Sequence, residues 1–135
     1  MVIRMVCRFA VDDVAVSDLH ARAFGGDPAV VVPWKQRLER HALTWVGAFD
    51  GDRLVGFVQA CWDGGAHAFL LDTAVDPERQ REGIGGRLLR AAVEDVRAAG
   101  CEWLHVDFEP HLAGFYLSGT GFRPTAAGVL DLRTR

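Results

Sequence analysis

The stretch that decides the fold is LDTAVDPERQREGIGGRLLR, residues 71–90. It begins as an apolar run that ends at Val75, and a polar loop follows. The glycine-rich run GIGG, residues 83–86, then opens a segment with helical periodicity. This order predicts a strand, a tight loop and a helix whose first turn is built from glycines. Such a helix start presents N–H groups without intrahelical acceptors at the positive end of the helix dipole, so it predicts an anion site, most naturally for phosphate.

Two common phosphate-binding turns fit this stretch poorly. A dinucleotide-binding fold has the pattern G-x-G-x-x-G directly after a strand, and here no glycine lies three residues after Gly85. A nucleotide-triphosphate loop has the pattern G-x-x-x-x-G-K-[ST], and neither lysine nor Ser/Thr follows Gly86. The sequence therefore predicts a phosphate site of a different kind.

The composition is that of a globular protein of moderate size. The 135 residues, half of them apolar, predict a single domain spanning residues 1–135 with a sizeable core. The net charge is −3, with both signs spread along the chain, which argues against a nucleic-acid-binding face. No partner of that class is therefore expected.

The sequence also predicts a cytoplasmic protein without a membrane segment or a metal. The first residues lack the apolar core of a signal peptide, and no apolar run approaches the roughly 20 residues of a membrane span. The three cysteines are an odd number and lack metal-ligand spacing, so reduced thiols are expected.

The rest of the chain alternates predicted strands and helices around the central stretch. Strands are predicted at 5–11, 44–49, 54–62, 67–75, 101–108 and 122–133, and helices at 14–24, 33–43, 84–99 and 110–118. The order β-α-α-β-β-β-α-β-α-β predicts an α/β fold with a mixed sheet of about six to seven strands and helices on both faces. Residues 67–108 form a βαβ unit, which requires a parallel strand pair.

Three motifs resemble one known family. QREGIG, residues 80–85, matches the [Arg/Gln]-x-x-Gly-x-[Gly/Ala] pattern of the GNAT superfamily of N-acetyltransferases. LDTAVDP, residues 71–77, resembles the family's strand ending in Val-x-Pro. FY at residues 115–116 and GF at 121–122 resemble its Phe-Tyr…Gly-Phe signature. The element order is also similar, so the resemblance covers nearly the whole chain.

The resemblance implies acetyl-CoA as the cofactor, with its pyrophosphate held by the backbone of the glycine-rich turn. The residues implied in this contact are Gln80, Arg81, Glu82, Gly83, Gly85, Gly86 and Arg87. The side chains of Arg79, Arg81 and Arg87 are expected to add positive charge, with plain solvated surface as the alternative. In the family, two central parallel strands splay apart and the pantetheine arm lies between them, pairing here with Thr73, Ala74 and Val75.

Tyr116, the only tyrosine, resembles the family tyrosine that protonates the CoA sulfur. The family spacing is Tyr-x-x-x-Gly-Phe, whereas here four residues precede Gly121. An extra residue near Gly119 would leave Tyr116 in place, while a register shift would put Leu117 there. A core or pantetheine-packing aromatic remains the alternative for Tyr116.

Asp72 is the candidate base, because it lies beside the implied acetyl site in an apolar stretch where burial would raise its pKa. A structural hydrogen-bonding aspartate is the alternative. Some family members place a glutamate three residues earlier, and that position here is Phe69. Secondary candidates are His105, Asp107 and Glu109. Acceptor-pocket candidates are Trp34, Trp45 and Trp62, which as core residues need no function.

The implied function is direct acetyl transfer from acetyl-CoA to a primary amine of a small molecule or peptide. The alternative is an acyl-CoA-binding sensor or scaffold with the same fold and no catalysis. The family often dimerises, and the segment 122–133 allows a homodimer here. Nothing in the sequence identifies the amine.

Overall fold

The computed structural model describes residues 2–133, which form a five-stranded mixed sheet with strand order β1-β2-β3-β4-β5. The strands are β1 (Ile3–Cys7), β2 (Ala42–Asp50), β3 (Arg53–Trp62), β4 (His67–Val75) and β5 (Trp103–Val106). The α-helices are α1 (Asp13–Phe24), α2 (Trp34–His41) and α3 (Ile84–Ala98). Short 3-10 helices span Pro77–Arg79 and Pro110–Leu112, and a π-helical turn spans Gly114–Gly119. Among these helices none is both long and apolar enough to cross a membrane.

The α/β class and the mixed sheet are confirmed, but the predicted strand count is too high. Within the described residues, segment 122–133 contains no strand. Pro124 and Gly128 interrupt its apolar pattern, and both residue types are unfavourable in strands. Val129, Leu130 and Leu132 are each at least 80% exposed, so the segment gains little from burial. The sheet consequently ends at β5, and the predicted helix 110–118 is split into the 3-10 and π-helical turns.

Helices cover both faces of the sheet, as predicted. On one face, α1 and α2 contribute Leu19, Trp34 and Leu38 to a buried cluster that includes Phe57 of β3. On the other face, α3 packs its apolar stripe, including Leu88, against β1, β2 and β3. The alternation of side chains along β3 supplies both clusters, since successive residues of a strand point to opposite faces.

The two parallel strands pair over only part of their length. The register joins His67 to Trp103 and continues to Leu70 opposite Val106, where β5 ends. β4 continues to Val75, so its edge toward β5 has no strand partner from residue 71 onward within the described chain. The two strands therefore part at the middle of β4.

A β-bulge lies where the strands part. Gln59 of β3 pairs with Leu71 and Phe57 pairs with Ala74, so two residues of β4, Asp72 and Thr73, oppose one residue of β3. Asp72 has φ +60°, in the left-handed region that a non-glycine residue rarely adopts. Bulges of this kind bend the strand and redirect a side chain.

The close approach of α3 to β3 depends on Gly56. A Cβ atom at this position would lie 2.9 Å from Leu88 Cδ1, 3.0 Å from Ile84 Cγ2 and 3.1 Å from the Ala48 Cβ. We expect Gly56→Ala to lower the free energy of unfolding by about 1–3 kcal/mol, because overpacking forces the helix to shift. Urea denaturation measures the loss. Gly128→Ala, where a Cβ would meet open space, is the control; equal stability of the two variants would contradict the prediction.

Candidate active site

A cavity of about 440 Å3 lies where β4 and β5 part. It brings together residues that the sequence singled out separately, with apolar neighbours from α1 and from the segments after β5. Its lining includes Asp72, Thr73, Asp107, Glu109, Tyr116, Phe24 and Leu112. The two residues predicted to be catalytic, Asp72 and Tyr116, therefore face one space.

The π-helical turn keeps Tyr116 in this cavity. A π-helix closes i→i+5 rather than i→i+4 hydrogen bonds, so it accommodates one extra residue without shifting what precedes it. The turn ends with Thr120 Oγ1 and Phe122 N donating to the Tyr116 carbonyl at 2.9 and 3.0 Å. Of the two alternatives for the longer spacing, the structure has Tyr116, not Leu117, lining the cavity.

Tyr116 is held by aromatic packing rather than by its hydroxyl. Its ring stacks on Phe108 with centroids 5.1 Å apart and meets Phe115 and Phe122 edge to face. The side chain is 5% exposed. Its phenol oxygen has no hydrogen-bond partner within residues 2–133. The ring is therefore fixed while the hydroxyl remains free to act on a ligand.

Asp72 is held as a carboxylate by two neighbours that the sequence did not indicate. His20 Nε2 lies 2.9 Å from Oδ1, and Gln59 Nε2 donates to Oδ2 at 2.7 Å. Burial by itself would raise the pKa of Asp72, but these hydrogen bonds and the charges of His20 and Arg37 outweigh it and lower the pKa. The expectation of a raised pKa is wrong, because partners on α1 and β3 compensate the burial.

The backbone at Asp72 reinforces this arrangement. Its left-handed conformation costs on the order of 1–3 kcal/mol and persists only where the surroundings fix it. The bulge places the carboxylate between His20 and Gln59 while the residue still lines the cavity. Strain of this kind is typical of functional sites.

The loop after β4 has the geometry of an anion nest. Arg81 (φ +67°) and Gly83 (φ +80°) are left-handed, and α3 begins directly after Gly83. The backbone N–H groups of residues 80–86 have no acceptor within the described chain. Successive free N–H groups at a helix N-terminus bind anions. The loop therefore has free N–H groups of the kind that bind phosphate, and its binding of phosphate stays a prediction.

Within the loop, Gly85 has a packing role. A Cβ there would lie 3.2 Å from Phe115 Cζ and 3.3 Å from Cε1. A Cβ at Gly86 would meet only the flexible end of Arg90, at 3.5 Å. Gly85 therefore couples the loop to the aromatic cluster around Tyr116.

Two of the three arginine side chains expected to add charge at the anion site are hydrogen-bonded within the protein. Arg79 donates to both oxygens of Glu82 and to Asp50 at 2.8 Å, so its charge is neutralised within the protein. Arg87 donates to the Ile3 carbonyl at 2.8 Å. Arg81 is exposed and makes no polar side-chain contact with residues 2–133. Of the three arginines expected to add charge at the anion site, Arg81 is therefore the one whose side chain is best able to contact a ligand.

The start of the loop is anchored by Asp76, whose side chain is 1% exposed. Its Oδ1 accepts from Arg22 of α1 at 2.9 Å and from the Glu78 N–H at 3.0 Å. Its Oδ2 accepts from Arg53 of β3 at 3.1 Å. One buried carboxylate thus ties α1, β3 and the loop together.

Several sequence candidates lie elsewhere. His105 is hydrogen-bonded to His67 at 2.8 Å, and β5 ends before Asp107, so the two do not share a regular strand face. Trp45 is buried and donates its indole N–H to the Phe9 carbonyl at 2.9 Å. Trp62 lines a separate groove with Cys7 and Asp95. Trp34 packs in the core against Phe57 and is adjacent to His20. None of the three tryptophans lines the cavity around Asp72 and Tyr116.

The chain is similar in sequence to known acetyltransferases. The model of the "Acetyltransferase (GNAT) family" matches residues 12–122. Serotonin N-acetyltransferase 2, chloroplastic, from Oryza sativa subsp. japonica is 30% identical over 106 residues, covering 75% of this chain and 53% of the relative. Mycothiol acetyltransferase from Rhodococcus erythropolis is 35% identical over 72 residues, covering 49% of this chain and 24% of the relative. The chain thus spans about half the length of the first relative and a quarter of the second.

Solved structures are similar over nearly the whole chain. A GNAT family acetyltransferase from Streptococcus pneumoniae is 25% identical with a TM-score of 0.73, covering 97% of this chain and 99% of that one. An aminoglycoside acetyltransferase from an uncultured soil metagenomic sample, in complex with sisomicin, is 19% identical with a TM-score of 0.77. The coverage there is 98% of this chain and 96% of the other, and this likeness concerns the fold.

Proposed function

Because the chain belongs to the GNAT family of acetyltransferases, we propose that it binds acetyl-CoA and transfers the acetyl group directly to a primary amine. The observation that carries this proposal is the meeting of three features at one place. Within the described chain, the edge of β4 is open from residue 71 onward, and the Tyr116 cavity lies where β4 and β5 part. The free N–H groups of residues 80–86 follow the end of β4, and Gly85 among them lies close to Val75 and Phe115.

Two parts of acetyl-CoA, the pyrophosphate and the pantetheine arm, are complementary to two of these features. Its pyrophosphate is an anion, which the free backbone N–H groups of residues 80–86 would bind, with the Arg81 side chain adding charge. Its pantetheine arm carries two amides, which would pair with the free edge of β4 at Thr73, Ala74 and Val75 as an added strand does. Both contacts use backbone groups, so the side chains of Glu82 and Ala74 need not face the ligand.

The chemistry then requires one acid and one base. The thioester supplies the acetyl group, and the departing sulfur needs a proton. Tyr116 lines the cavity, and its hydroxyl has no hydrogen-bond partner among the described residues, so we assign it as the proton donor. Asp72 faces the same cavity as a carboxylate that is fully hydrogen-bonded, and we assign it an electrostatic role. Much of the remaining rate comes from holding the two reactants in line.

The cavity favours a cationic acceptor. Asp72, Asp107 and Glu109 contribute three carboxyl groups to its lining, which also includes Phe24 and Leu112. Negative charge in a cleft concentrates cations and disfavours anionic acceptors. The acceptor we propose is an amine of a small molecule or peptide that arrives as an ammonium ion. Among the similar proteins, the serotonin N-acetyltransferase is named for an amine acceptor, and the aminoglycoside acetyltransferase is in complex with sisomicin.

Cofactor binding is tested with a matched pair of glycine variants. Gly83 (φ +80°) and Gly64 (φ +90°) are both left-handed, and a Cβ would meet open space at each. Alanine should therefore cost both sites similar conformational strain, about 1–2 kcal/mol. We expect saturating acetyl-CoA to raise the Tm of the wild type and of Gly64→Ala by several degrees, as ligand binding to the native state requires. For Gly83→Ala the shift should be much smaller, because the nest is distorted.

Turnover is followed by release of free CoA thiol with tryptamine, spermidine and sisomicin as acceptors. Thiol release with at least one of them supports the transferase. Absence of a thermal shift in the wild type would overturn cofactor binding. A thermal shift without turnover of any amine would instead support the non-catalytic acyl-CoA sensor.

A further inference from the structure

His20 is the titratable side chain in closest contact with Asp72. It lies on α1, one turn before Phe24. His20 is not itself one of the residues that line the cavity, but it contacts two that are, Phe24 and Asp72. Its ring centroid is 4.5 Å from that of Phe24 and 5.2 Å from that of Trp34, and its Nε2 is 2.9 Å from Asp72 Oδ1. The His20 side chain remains 30% exposed. The ring is therefore fixed in orientation but still reaches solvent.

The contact with Asp72 determines where the proton of a neutral His20 ring lies. An ionised carboxylate accepts hydrogen bonds and cannot donate them. Since the pKa of Asp72 is lowered, its oxygen is an acceptor and Nε2 must carry the hydrogen. Nδ1 then holds the free lone pair, and it has no hydrogen-bond partner within residues 2–133.

We propose that His20, oriented by Asp72, is the base that takes the proton from the acceptor ammonium. This rests on the proposed transferase function. The N–H bond of the ammonium breaks, and its proton bonds to Nδ1 of His20, giving an imidazolium whose charge the Asp72 carboxylate balances. The neutral amine attacks the thioester carbonyl.

The remaining protons also balance. As the carbon–sulfur bond breaks, Tyr116 gives its phenolic proton to the sulfur and regains one from the attacking nitrogen. His20 releases its proton to solvent through its exposed side. One acceptor ammonium and one acetyl-CoA thus give one amide, one CoA thiol and one solvent proton.

His20 suits this role better than Asp72 does. Both oxygens of Asp72 are occupied by hydrogen bonds, and its lowered pKa makes it a weak base near neutral pH. An imidazole changes charge between about pH 5 and pH 8, which is the range a general base needs. A carboxylate that orients a histidine through one ring nitrogen leaves the other nitrogen as the base, which is the logic of catalytic dyads.

The charged and polar groups around the His20–Asp72 pair come from four elements. β4 supplies Asp72. α2 supplies Arg37, which lies over the Trp34 ring and acts on Asp72. β3 supplies the neutral Gln59 and Cys61; burial and the charge of Asp72 raise the pKa of that thiol, so it stays uncharged. On α1 itself, Arg22 is engaged by Asp18 and Asp76. Within the described residues, Asp72 is thus the charged group that hydrogen-bonds to the ring.

The first test needs no acceptor and reads the ring directly. Two-bond proton–nitrogen NMR spectra are recorded between pH 5 and pH 9, with His20→Gln to assign the signals. We expect the neutral ring to carry its hydrogen on Nε2. A neutral ring that carries its hydrogen on Nδ1 would overturn the proposal.

The second test is kinetic. With the amine that the wild type turns over best, kcat/KM should rise with pH through the imidazole range. Glutamine at position 20 can still donate a hydrogen bond to Asp72 but cannot act as a base. In His20→Gln, kcat should therefore fall about 100-fold, and the rise of kcat/KM with pH should be lost. The Kd of acetyl-CoA, measured by calorimetry, should stay unchanged. His41→Gln, an exposed histidine on α2, is the control and should match the wild type.

The outcomes separate the two proposals. If His20→Gln keeps the wild-type kcat and the same rise of kcat/KM with pH, the His20 proposal is overturned and the transferase function stands. If the wild type fails to bind acetyl-CoA, or binds it and acetylates no amine, the transferase function is overturned and the role of His20 falls with it.

Discussion

Asp76→Asn is expected to lower the free energy of unfolding by about 3 kcal/mol. Removing one partner of a buried charge cluster costs about 3–5 kcal/mol, and the lower end applies because Arg22 and Arg53 keep 28% and 61% of their side chains exposed. The side-chain NH2 group of the asparagine would also face a guanidinium group, and two hydrogen-bond donors cannot pair with each other. Urea denaturation at pH 7 measures the change.

The pH dependence gives this prediction a second readout. Burial raises the pKa of Asp76, but the Glu78 N–H, Arg22 and Arg53 outweigh it and lower the pKa below its unfolded value. A depressed folded pKa means that the stabilisation is complete above the unfolded pKa of about 4 and is lost as pH falls through the folded pKa. The stability gap between wild type and Asp76→Asn should therefore be constant from pH 7 to about pH 5 and shrink below about pH 4.

Asp52→Asn is the matched control, since Asp52 is exposed in the turn between β2 and β3. It should leave stability within about 0.5 kcal/mol of the wild type. A gap of less than 1 kcal/mol for Asp76→Asn would show that the cluster does not anchor the loop. A loss of acetyl-CoA affinity in the folded variant would additionally show that Asp76 maintains the backbone geometry of the anion nest.

The features that the sequence predicted correctly are those set by neighbouring residues. Asp12 accepts from the N–H groups of Val14 and Ala15, and Gly25 ends α1 at φ +81°, so this helix was predicted nearly to the residue. The glycine-rich turn before α3 was predicted for the same reason, because Gly83 alone permits its backbone conformation without strain. Local chemistry of this kind needs no knowledge of the fold.

The features that were missed depend on residues far apart in the chain. His20 and Asp72 are separated by 52 positions, and nothing around His20 forms a motif. The same holds for Arg22 and Asp76. The prediction of a last strand at 122–133 was wrong for the opposite reason. The apolar residues of this segment match a strand pattern, but no described partner buries them. Both errors concern tertiary contacts, which periodicity does not report.

Tyr116→Phe is expected to reduce kcat by a factor of about 100 to 1000, because general acid catalysis contributes about 10²–10⁴. The same substitution should leave folding nearly unchanged. The phenol oxygen has no hydrogen-bond partner within residues 2–133, while the ring contacts with Phe108, Phe115 and Phe122 are all retained by phenylalanine. The Kd of acetyl-CoA should also stay close to that of the wild type.

This combination of results separates a catalytic Tyr116 from a packing one. Turnover is measured by thiol release, stability by urea denaturation and cofactor affinity by calorimetry. Ser118→Ala removes an exposed hydroxyl from the same π-helical turn and should change none of the three. Wild-type turnover in Tyr116→Phe would remove the phenol from the mechanism. A parallel loss of stability and turnover would make it a structural residue. Because the hydroxyl has no partner in the described part of the chain and Tyr116 lines the same cavity as Asp72, we expect turnover alone to fall.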